Sequence, residues 1–248
     1  MLTRRFRPSW PALIATTVVV LVCLRLALWQ LERADTKSRW LTQYSERQQL
    51  GAQPLNQLLR LEDAANFSVS LSGTIDNSRP ILLDNRIIDR IAGYHLLSPM
   101  KTDDGHWVLV NRGWLPRGLD RNQLPDIPVI DGNITVNGHT YLHSERTFTL
   151  ADDDLSNPQW PLLIQKVETE ALSEALGVEL APFEIRVAAD SALEAGAQLP
   201  RIWQDIRLGP ERHYGYAFQW FAMALAAFIF FLVASLRRPT GLSQDANK

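Results

Sequence analysis

Two stretches of the chain are apolar for long enough to cross a lipid bilayer. No residue is charged from position 214 to 236, and a helix of that length spans the ~30 Å hydrocarbon layer. A second stretch, residues 13–28, holds ten Leu, Ile and Val residues. Their insertion free energy of roughly −3 to −6 kcal/mol outweighs the cost of Arg25, which lies within a turn of the end and can extend towards the headgroups. We therefore predict transmembrane helices over residues 12–30 and 213–236.

Between these stretches the pattern is mainly that of β-strands. Residues 67–75 alternate apolar and polar side chains, the period of a half-buried strand. Shorter runs of the same kind predict strands at 81–83, 94–97, 107–110, 134–142 and 183–189. Residues 103–105, Asp-Asp-Gly, are typical of a hairpin turn. Residues 167–176 have helical spacing, and Gly177 is a natural end for that helix. The fold class predicted is thus two transmembrane helices flanking a strand-dominated (mainly β, α+β) extracytoplasmic domain, residues 31–212.

The distribution of charge supports this division. Although the whole chain has a net charge of −2 and a mean hydropathy of −0.11, residues 32–212 contain 18 Lys and Arg against 26 Asp and Glu, a net of −8. The remaining ends contain seven basic residues and one acidic residue, a net of +6. An acidic middle between basic ends is typical of a two-span protein whose central domain is translocated.

Basic residues outside each apolar stretch predict the orientation. Arg4, Arg5 and Arg7 precede the first, and Arg237 and Arg238 follow the second, so both termini (1–11 and 237–248) are predicted to face the cytoplasm. The expected location is a bacterial inner membrane, with the central domain in the periplasm. A cleaved signal peptide is the competing interpretation of the first stretch, but no small-x-small cleavage site follows it, so we favour an uncleaved anchor.

The chain shows little that is typical of a catalytic site. Residues 152–154, three aspartates, lack the spacing of a calcium loop and are better interpreted as a solvated acidic turn. His139 and His143 share a face of a predicted strand but lie ~13 Å apart there, too far to grip one metal together. The sequence contains no glycine-rich phosphate loop, serine elbow or paired-cysteine motif. An enzyme such as a membrane-anchored hydrolase is therefore disfavoured.

The start of the second apolar stretch carries the clearest candidate chemistry. His213, Tyr216, Ala217 and Trp220 lie three, four and seven positions apart, so they share one face of a helix. An imidazole at the water boundary above aromatic rings suits a flat, apolar cofactor that carries a metal. The alternative is an interfacial histidine within an ordinary aromatic belt.

Two further polar-aromatic motifs stand out. The first follows the first span and contains Trp29, Gln30, Arg33 and Lys37; interfacial anchoring would also account for it. The second, at the predicted end of a strand, contains Asn111, Arg112, Gly113 and Trp114, followed by Leu and Pro. Either it is a packed turn with Arg112 bonded to backbone carbonyls, or it is a surface for a partner or cofactor.

Taken together and in this order, the three motifs resemble the surfeit locus protein family, the first of that name. The motifs are Trp-Gln-x-x-Arg-x-x-x-Lys after a first span, Val-Asn-Arg-Gly-Trp-x-Pro in the middle and His-x-x-Tyr-Ala-x-Gln-Trp-Phe at the second span. The resemblance covers residues 24–235. One departure is Ala27, where the family usually has glycine two residues before the tryptophan.

The resemblance implies a function in assembly of haem-copper cytochrome c oxidase. It implies that the chain binds or stabilises haem a for insertion into oxidase subunit I, with His213 as the axial ligand of the iron and Trp220 nearby. Imidazole is a good axial ligand for haem iron, and Tyr216 shares its face. We conjecture that Arg33, Arg207 and Arg212 pair with the propionates.

The expected partners are oxidase subunit I, other oxidase assembly factors and membrane lipid, with the enzymes of haem a synthesis as further candidates and no nucleic acid. The alternative function is a membrane-anchored structural scaffold for oxidase subunits or assembly factors that does not bind haem. Neither function requires catalysis, so the chain is predicted not to be an enzyme.

Overall fold

The computed structural model describes residues 5–6, 8–118, 123–143, 153, 155–193, 198–203 and 209–237. The elements within these residues are, in chain order, β1 (Arg5–Phe6), α1 (Trp10–Gln49), α2 (Leu55–Leu58), β2 (Ser68–Ile75), β3 (Ile81–Ile88), β4 (Ile91–Thr102), β5 (Trp107–Pro116), β6 (Asn133–Tyr141), β7 (Leu162–Ile164), α3 (Thr169–Leu176), β8 (Leu180–Val187), α4 (Glu211–Ser235) and β9 (Leu236–Arg237). The basic residues Arg4, Arg7 and Arg238, on which the predicted orientation partly depends, lie outside the described residues, as do Arg207, Asp152 and Asp154.

The described chain forms two units, of which one contains the two long apolar helices. It consists of α1 as far as Thr42 together with α4, and β1 and β9 pair antiparallel beside them. Both helices are long and apolar enough to cross a membrane. The other unit begins at Gln43 and contains the β-sheet. The predicted fold class, two membrane helices flanking a strand-rich domain, is confirmed.

Helix α1 is much longer than the apolar stretch that predicted it. It has 40 residues, with Pro11 in its first turn, where the missing N–H costs nothing, and Gly51, at φ 69°, just beyond its end. Neither glycine nor proline interrupts the helix between them. The polar residues after position 29 therefore continue the same helix, which the hydropathy pattern alone did not indicate.

The sheet of the second unit closes into a five-stranded barrel. Its strand order is β2-β6-β8-β5-β4-β3-β7, and β2 also pairs with β4, so that β2, β6, β8, β5 and β4 form a ring. Two pairings, β5 with β8 and β3 with β7, are parallel, and the others are antiparallel. The ring is filled by apolar side chains that point inward from every one of its strands, among them Val69, Met100, Val110, Val136, Phe183 and Ile185.

Several local predictions are confirmed in this unit. The predicted strands are all present, most of them longer than their apolar runs. Residues 103–105 form the turn between β4 and β5, with Gly105 at φ 91°. Helix α3 ends at Gly177, whose φ of 66° is the left-handed conformation that favours glycine at a helix end. Its buried Leu172 and Leu176 pack on an apolar cluster outside the ring.

Candidate functional site

The two membrane helices each present a less exposed face. On α1 a series of less exposed positions recurs every three or four residues, at 13, 16, 20, 23, 27, 30 and 34, and residues 24, 26 and 31 beside it are also half-buried. On α4 they recur in the same way, at 213, 217, 220, 224, 227, 231 and 235. Alternating three- and four-residue steps are the pattern of a helix that packs along a partner helix. We call the two faces together the helix seam.

Most of the buried residues at the helix seam are small. Ala27, Ala34, Ala217 and Ala224 are at most 5 % exposed, as expected for contacts between membrane helices. Large apolar residues elsewhere on both helices remain exposed, as suits a surface in contact with lipid. The alanine at position 27, where the resemblance implies glycine, therefore lies within the seam.

His213 lies on the helix seam and is hydrogen bonded to Gln30. Its Nδ1 is 2.8 Å from Oε1 of Gln30, which brings together the first and the third sequence motif. His213 is half-buried in the first turn of α4, and its backbone N–H donates to the carbonyl of Pro210 at 3.0 Å. Because an amide oxygen can only accept a hydrogen bond, this contact requires a proton on Nδ1 of His213. Nε2 then retains its lone pair.

The aromatic residues of the predicted stripe divide between two environments. Trp220 lies on the helix seam and is half-buried, whereas Tyr216 lies beside the seam and is 52 % exposed. The first two turns of α4 therefore combine a hydrogen-bonded imidazole and two aromatic rings.

The basic residues of the first motif stack on tryptophans of α1. The guanidinium of Arg33 lies 5.8 Å from the ring centre of Trp29, and Nζ of Lys37 lies 4.3 Å from that of Trp40. Both are cation–π arrangements on one helix surface. Arg33 and Arg212 are exposed, whereas Arg207, the third residue in the conjectured pairing with propionates, is outside the described residues.

The second motif forms the end of strand β5 itself, because the strand extends beyond the predicted residues 107–110 and includes the motif. Strand β5 continues to Pro116, and the pairing with β4 shifts so that Arg112 is an extra residue between Asn111 and Gly113. This is a β-bulge, which bends a strand locally while it remains paired. The side chain of Arg112 is 1 % exposed and lines a cavity of about 320 Å³.

The bulge holds the segment 198–203, which precedes α4 in the chain. The backbone N–H of Trp114 donates to the carbonyl of Pro200 at 2.9 Å, and Nε of Arg201 donates to the carbonyl of Arg112 at 2.8 Å. Gly113 has φ 135°, and a Cβ there would lie 2.8 Å from the Cβ of Leu199. These contacts give the motif a packing function inside the barrel unit. That it also forms a surface for a partner or cofactor stays a prediction.

A buried charged cluster on the outer face of the barrel was missed by sequence reasoning. Glu184 is fully buried, and its carboxylate accepts hydrogen bonds from Nε of Arg186 at 2.9 Å and from Nδ2 of Asn111 at 3.1 Å. Nε2 of His143 lies 2.9 Å from its other oxygen. Nδ1 of His95 lies 3.4 Å from Nδ2 of Asn111. We call these five residues the Glu184 cluster.

Aromatic rings cover the Glu184 cluster. The guanidinium of Arg186 stacks on Tyr141, 3.2 Å from the ring centre, and lies 5.2 Å from that of Trp203. Trp203 also contacts His95 and His139 edge-on, and its indole N–H donates to the carbonyl of Val187 at 3.0 Å. The segment 198–203 is thus fixed to the barrel at both Trp203 and the bulge.

Burial and nearby charges together shift the pKa values of two acid–base groups in this cluster, Glu184 and His95. Burial alone would raise the pKa of Glu184, but the nearby His143 and Arg186 outweigh it and hold that pKa well below its usual value. Burial lowers the pKa of His95 to about 4, an effect that Glu184 opposes and Arg86, Arg186 and His143 reinforce. The carboxylate is therefore charged and His95 neutral at neutral pH.

We expect His95 to make the barrel unit sensitive to mild acid. His95 is neutral in the folded state, whereas a histidine in the unfolded state becomes protonated below about pH 6.5. The free energy of unfolding therefore falls by at most about 3 kcal/mol as the pH drops from about 6.5 to about 4. His95→Gln should remove this loss. Urea unfolding of the full chain in detergent at pH 7, 6, 5 and 4 measures it, with the exposed His106→Gln as control. Equal pH slopes for wild type and His95→Gln would contradict the assignment.

His139 and His143, which the sequence analysis considered as a metal pair, contact different residues. His143 contacts Glu184, whereas His139 contacts Trp203. Among the described residues, no group of three His, Cys, Asp or Glu side chains is arranged to hold a metal ion. Asp153 accepts hydrogen bonds from the backbone N–H groups of Gln165 and Lys166.

These features define a membrane protein with two spans, a barrel domain between them in the chain, and an oriented histidine at the start of the second span. A family model described as the SURF1 family matches residues 17–225, and the chain belongs to that family. The family is generally linked to cytochrome oxidase assembly. The predicted resemblance is confirmed.

Two curated relatives match most of the chain, and a third matches part of it. A SURF1-like protein of Rickettsia bellii is 24 % identical over 223 residues, covering 87 % of both chains. One of Rickettsia prowazekii is 25 % identical over 239 residues, covering 95 % of this chain and 93 % of the relative. One of Dictyostelium discoideum is 29 % identical over 103 residues, 38 % of each chain.

Proposed function

We propose that this chain binds haem a through His213 and assists its insertion into subunit I of a haem-copper cytochrome c oxidase. The observation that carries the proposal is the hydrogen bond between Gln30 and His213. It engages Nδ1, and a neutral imidazole protonated there keeps its Nε2 lone pair for a metal. Membership of the SURF1 family connects this geometry to oxidase assembly.

The surrounding residues suit a haem in chemical character. His213 would hold a haem through its iron, for which imidazole is among the commonest nitrogen ligands. Tyr216 and Trp220 offer apolar ring surface below the histidine, and exposed Arg33 and Arg212 offer cations for propionates. His213 is the one histidine on either membrane helix. A single protein ligand suits a carrier that must release its cofactor.

The proposal includes the location. The chain lies in a bacterial inner membrane, with residues 12–30 and 213–236 as spans, both termini in the cytoplasm and residues 31–212 in the periplasm. The basic ends and the acidic middle support this orientation. The partners are oxidase subunit I, other assembly factors and membrane lipid.

A scaffold without haem is the second candidate, and a surface of the barrel unit favours it. The hairpin between β3 and β4 exposes Ile87 and Ile91, 57 % and 53 % accessible. Isoleucines exposed on a paired hairpin are suited to contact with another protein. In this case the chain would hold oxidase subunits together, and haem occupancy would depend on it only indirectly.

We expect His213→Ala to lose at least about tenfold in bound haem per protein, because the iron loses its protein ligand. The full chain is coexpressed with haem a synthesis, purified in mild detergent, and measured by its visible spectrum. The matched control is His106→Ala, an exposed histidine of the barrel unit. A wild-type protein without haem would refute the carrier function and leave the scaffold. If His213→Ala binds as much haem as the wild type, His213 is not the ligand.

A further inference from the structure

The hydrogen bond between Gln30 and His213 joins positions that are 183 residues apart in the chain. Gln30 lies on the helix seam, between the fully buried Ala27 and Ala34 on the same face of α1. Its side chain is half-buried there. A polar group among small apolar residues at a membrane boundary is costly unless it is hydrogen bonded.

The direction of this bond determines which imidazole nitrogen is protonated. A neutral imidazole has one N–H and one lone pair, and the hydrogen bond made by one nitrogen fixes the state of the other. Because Oε1 of Gln30 accepts from Nδ1, the proton lies on Nδ1. A free neutral histidine in water favours the opposite tautomer, with the proton on Nε2. The seam therefore stabilises the less common form.

We propose that Gln30 is a positioning residue that holds His213 in the Nδ1–H tautomer and directs its Nε2 lone pair towards an incoming metal. The inference rests on the proposed function for the identity of that metal, the haem iron, but its first test does not need haem. It also gives a function to the glutamine of the first sequence motif, which interfacial anchoring by Trp29 and Arg33 does not explain.

The identity of the acceptor tunes the ligand. A neutral amide attracts the imidazole N–H proton only weakly, whereas a carboxylate attracts it more strongly and makes the imidazole a stronger electron donor. A stronger donor stabilises the oxidised iron. Gln30 thus orients His213 while keeping metal binding weak enough for release. In the Gln30→Glu variant, His213 should bind the metal more firmly.

The first test measures the tautomer in the metal-free protein. The full chain, labelled with ¹⁵N-histidine and held in detergent at mildly alkaline pH, is studied by NMR, and His213→Ala assigns the signal. We expect Nδ1–H in wild type and in Gln30→Glu, and a shift towards Nε2–H in Gln30→Met, which keeps the side-chain length without the acceptor. The control is Gln43→Met, an exposed position of the same helix. Nε2–H in the wild type, or no change in Gln30→Met, would overturn the inference.

The second test uses the haem-loaded protein. Gln30→Met should retain about tenfold less haem than wild type, and Gln30→Glu should retain it with a lower reduction potential. Gln43→Met should match wild type in both respects. If the wild type shows the Nδ1–H tautomer but carries no haem, the proposed function fails and the tautomer assignment stands. If haem binds but its potential is the same in Gln30→Glu, the tuning by Gln30 is refuted.

Discussion

Gly73→Ala should unfold the barrel unit, at a cost of about 3 kcal/mol or more. Gly73 lies where the ring closes, paired with Ile134 of β6 on one side and with Thr102 of β4 on the other. A Cβ at this position would lie 2.2 Å from the carbonyl oxygen of Lys101 and 2.7 Å from the Cα of Thr102. Both are backbone atoms, so no change of rotamer can relieve the overlap. Strands β2 and β4 must separate, which opens the barrel.

Thermal unfolding of the full chain in detergent, followed by circular dichroism in the β region, measures this effect. The matched control is Gly215→Ala in α4, where the added methyl group meets no atom within 4 Å and alanine is the better helix former. The control should keep or slightly raise the stability of its helix. A Gly73→Ala protein that melts within a few degrees of wild type would show that β2 and β4 lie further apart than described.

Strands and helix ends that depend on neighbouring residues were predictable from the sequence. The alternation in residues 67–75 predicted β2, and Gly177 predicted the end of α3, because a strand's period and a left-handed cap are properties of neighbouring residues. Hydropathy likewise predicted both membrane helices. The closure of the barrel at Gly73 was not predictable, since a glycine in a strand does not show which two strands approach it.

The site required contacts between distant parts of the chain. His213 was a candidate from its helix face and the family resemblance, and Gln30 from a separate motif, but no local signal indicated that they are hydrogen bonded. That contact depends on how α1 and α4 align along the helix seam. The alignment follows from small residues at three- and four-residue steps, a pattern that becomes evident once exposure is known.

Glu184 and Arg186 illustrate the opposite case, in which a local pattern was misleading. They alternate with Phe183, Ile185 and Val187 along β8, and charged residues at alternate positions are ordinarily the solvated face of a strand. Here the segment containing Trp203 covers that face. The covering segment belongs to a later part of the chain, so the sequence of β8 alone could not reveal that Glu184 and Arg186 are buried.

Glu184→Gln should lower the free energy of unfolding of the barrel unit by about 3 kcal/mol at neutral pH, because it leaves Arg186 and His143 without the buried charge that they face. The folded-state pKa of Glu184 is held below its usual value, so its contribution is complete above about pH 4.5 and is lost as the pH falls further. Urea unfolding of the full chain in detergent at pH 7 and pH 3 should therefore show a smaller difference at pH 3. The control is Glu174→Gln, an exposed glutamate of α3, with an expected change below about 0.5 kcal/mol.

A double variant separates the charge pairing from simple loss of packing. Glu184→Gln removes the negative charge and leaves the buried cation, whereas Glu184→Gln combined with Arg186→Met removes both charges and keeps most of the side-chain volume. Because an unpaired buried charge costs more than an apolar replacement of the pair, the double variant should be more stable than Glu184→Gln alone. Additive losses from the two substitutions would mean that Glu184 and Arg186 stabilise the barrel independently, through packing with Tyr141 and Trp203 in place of the ion pair.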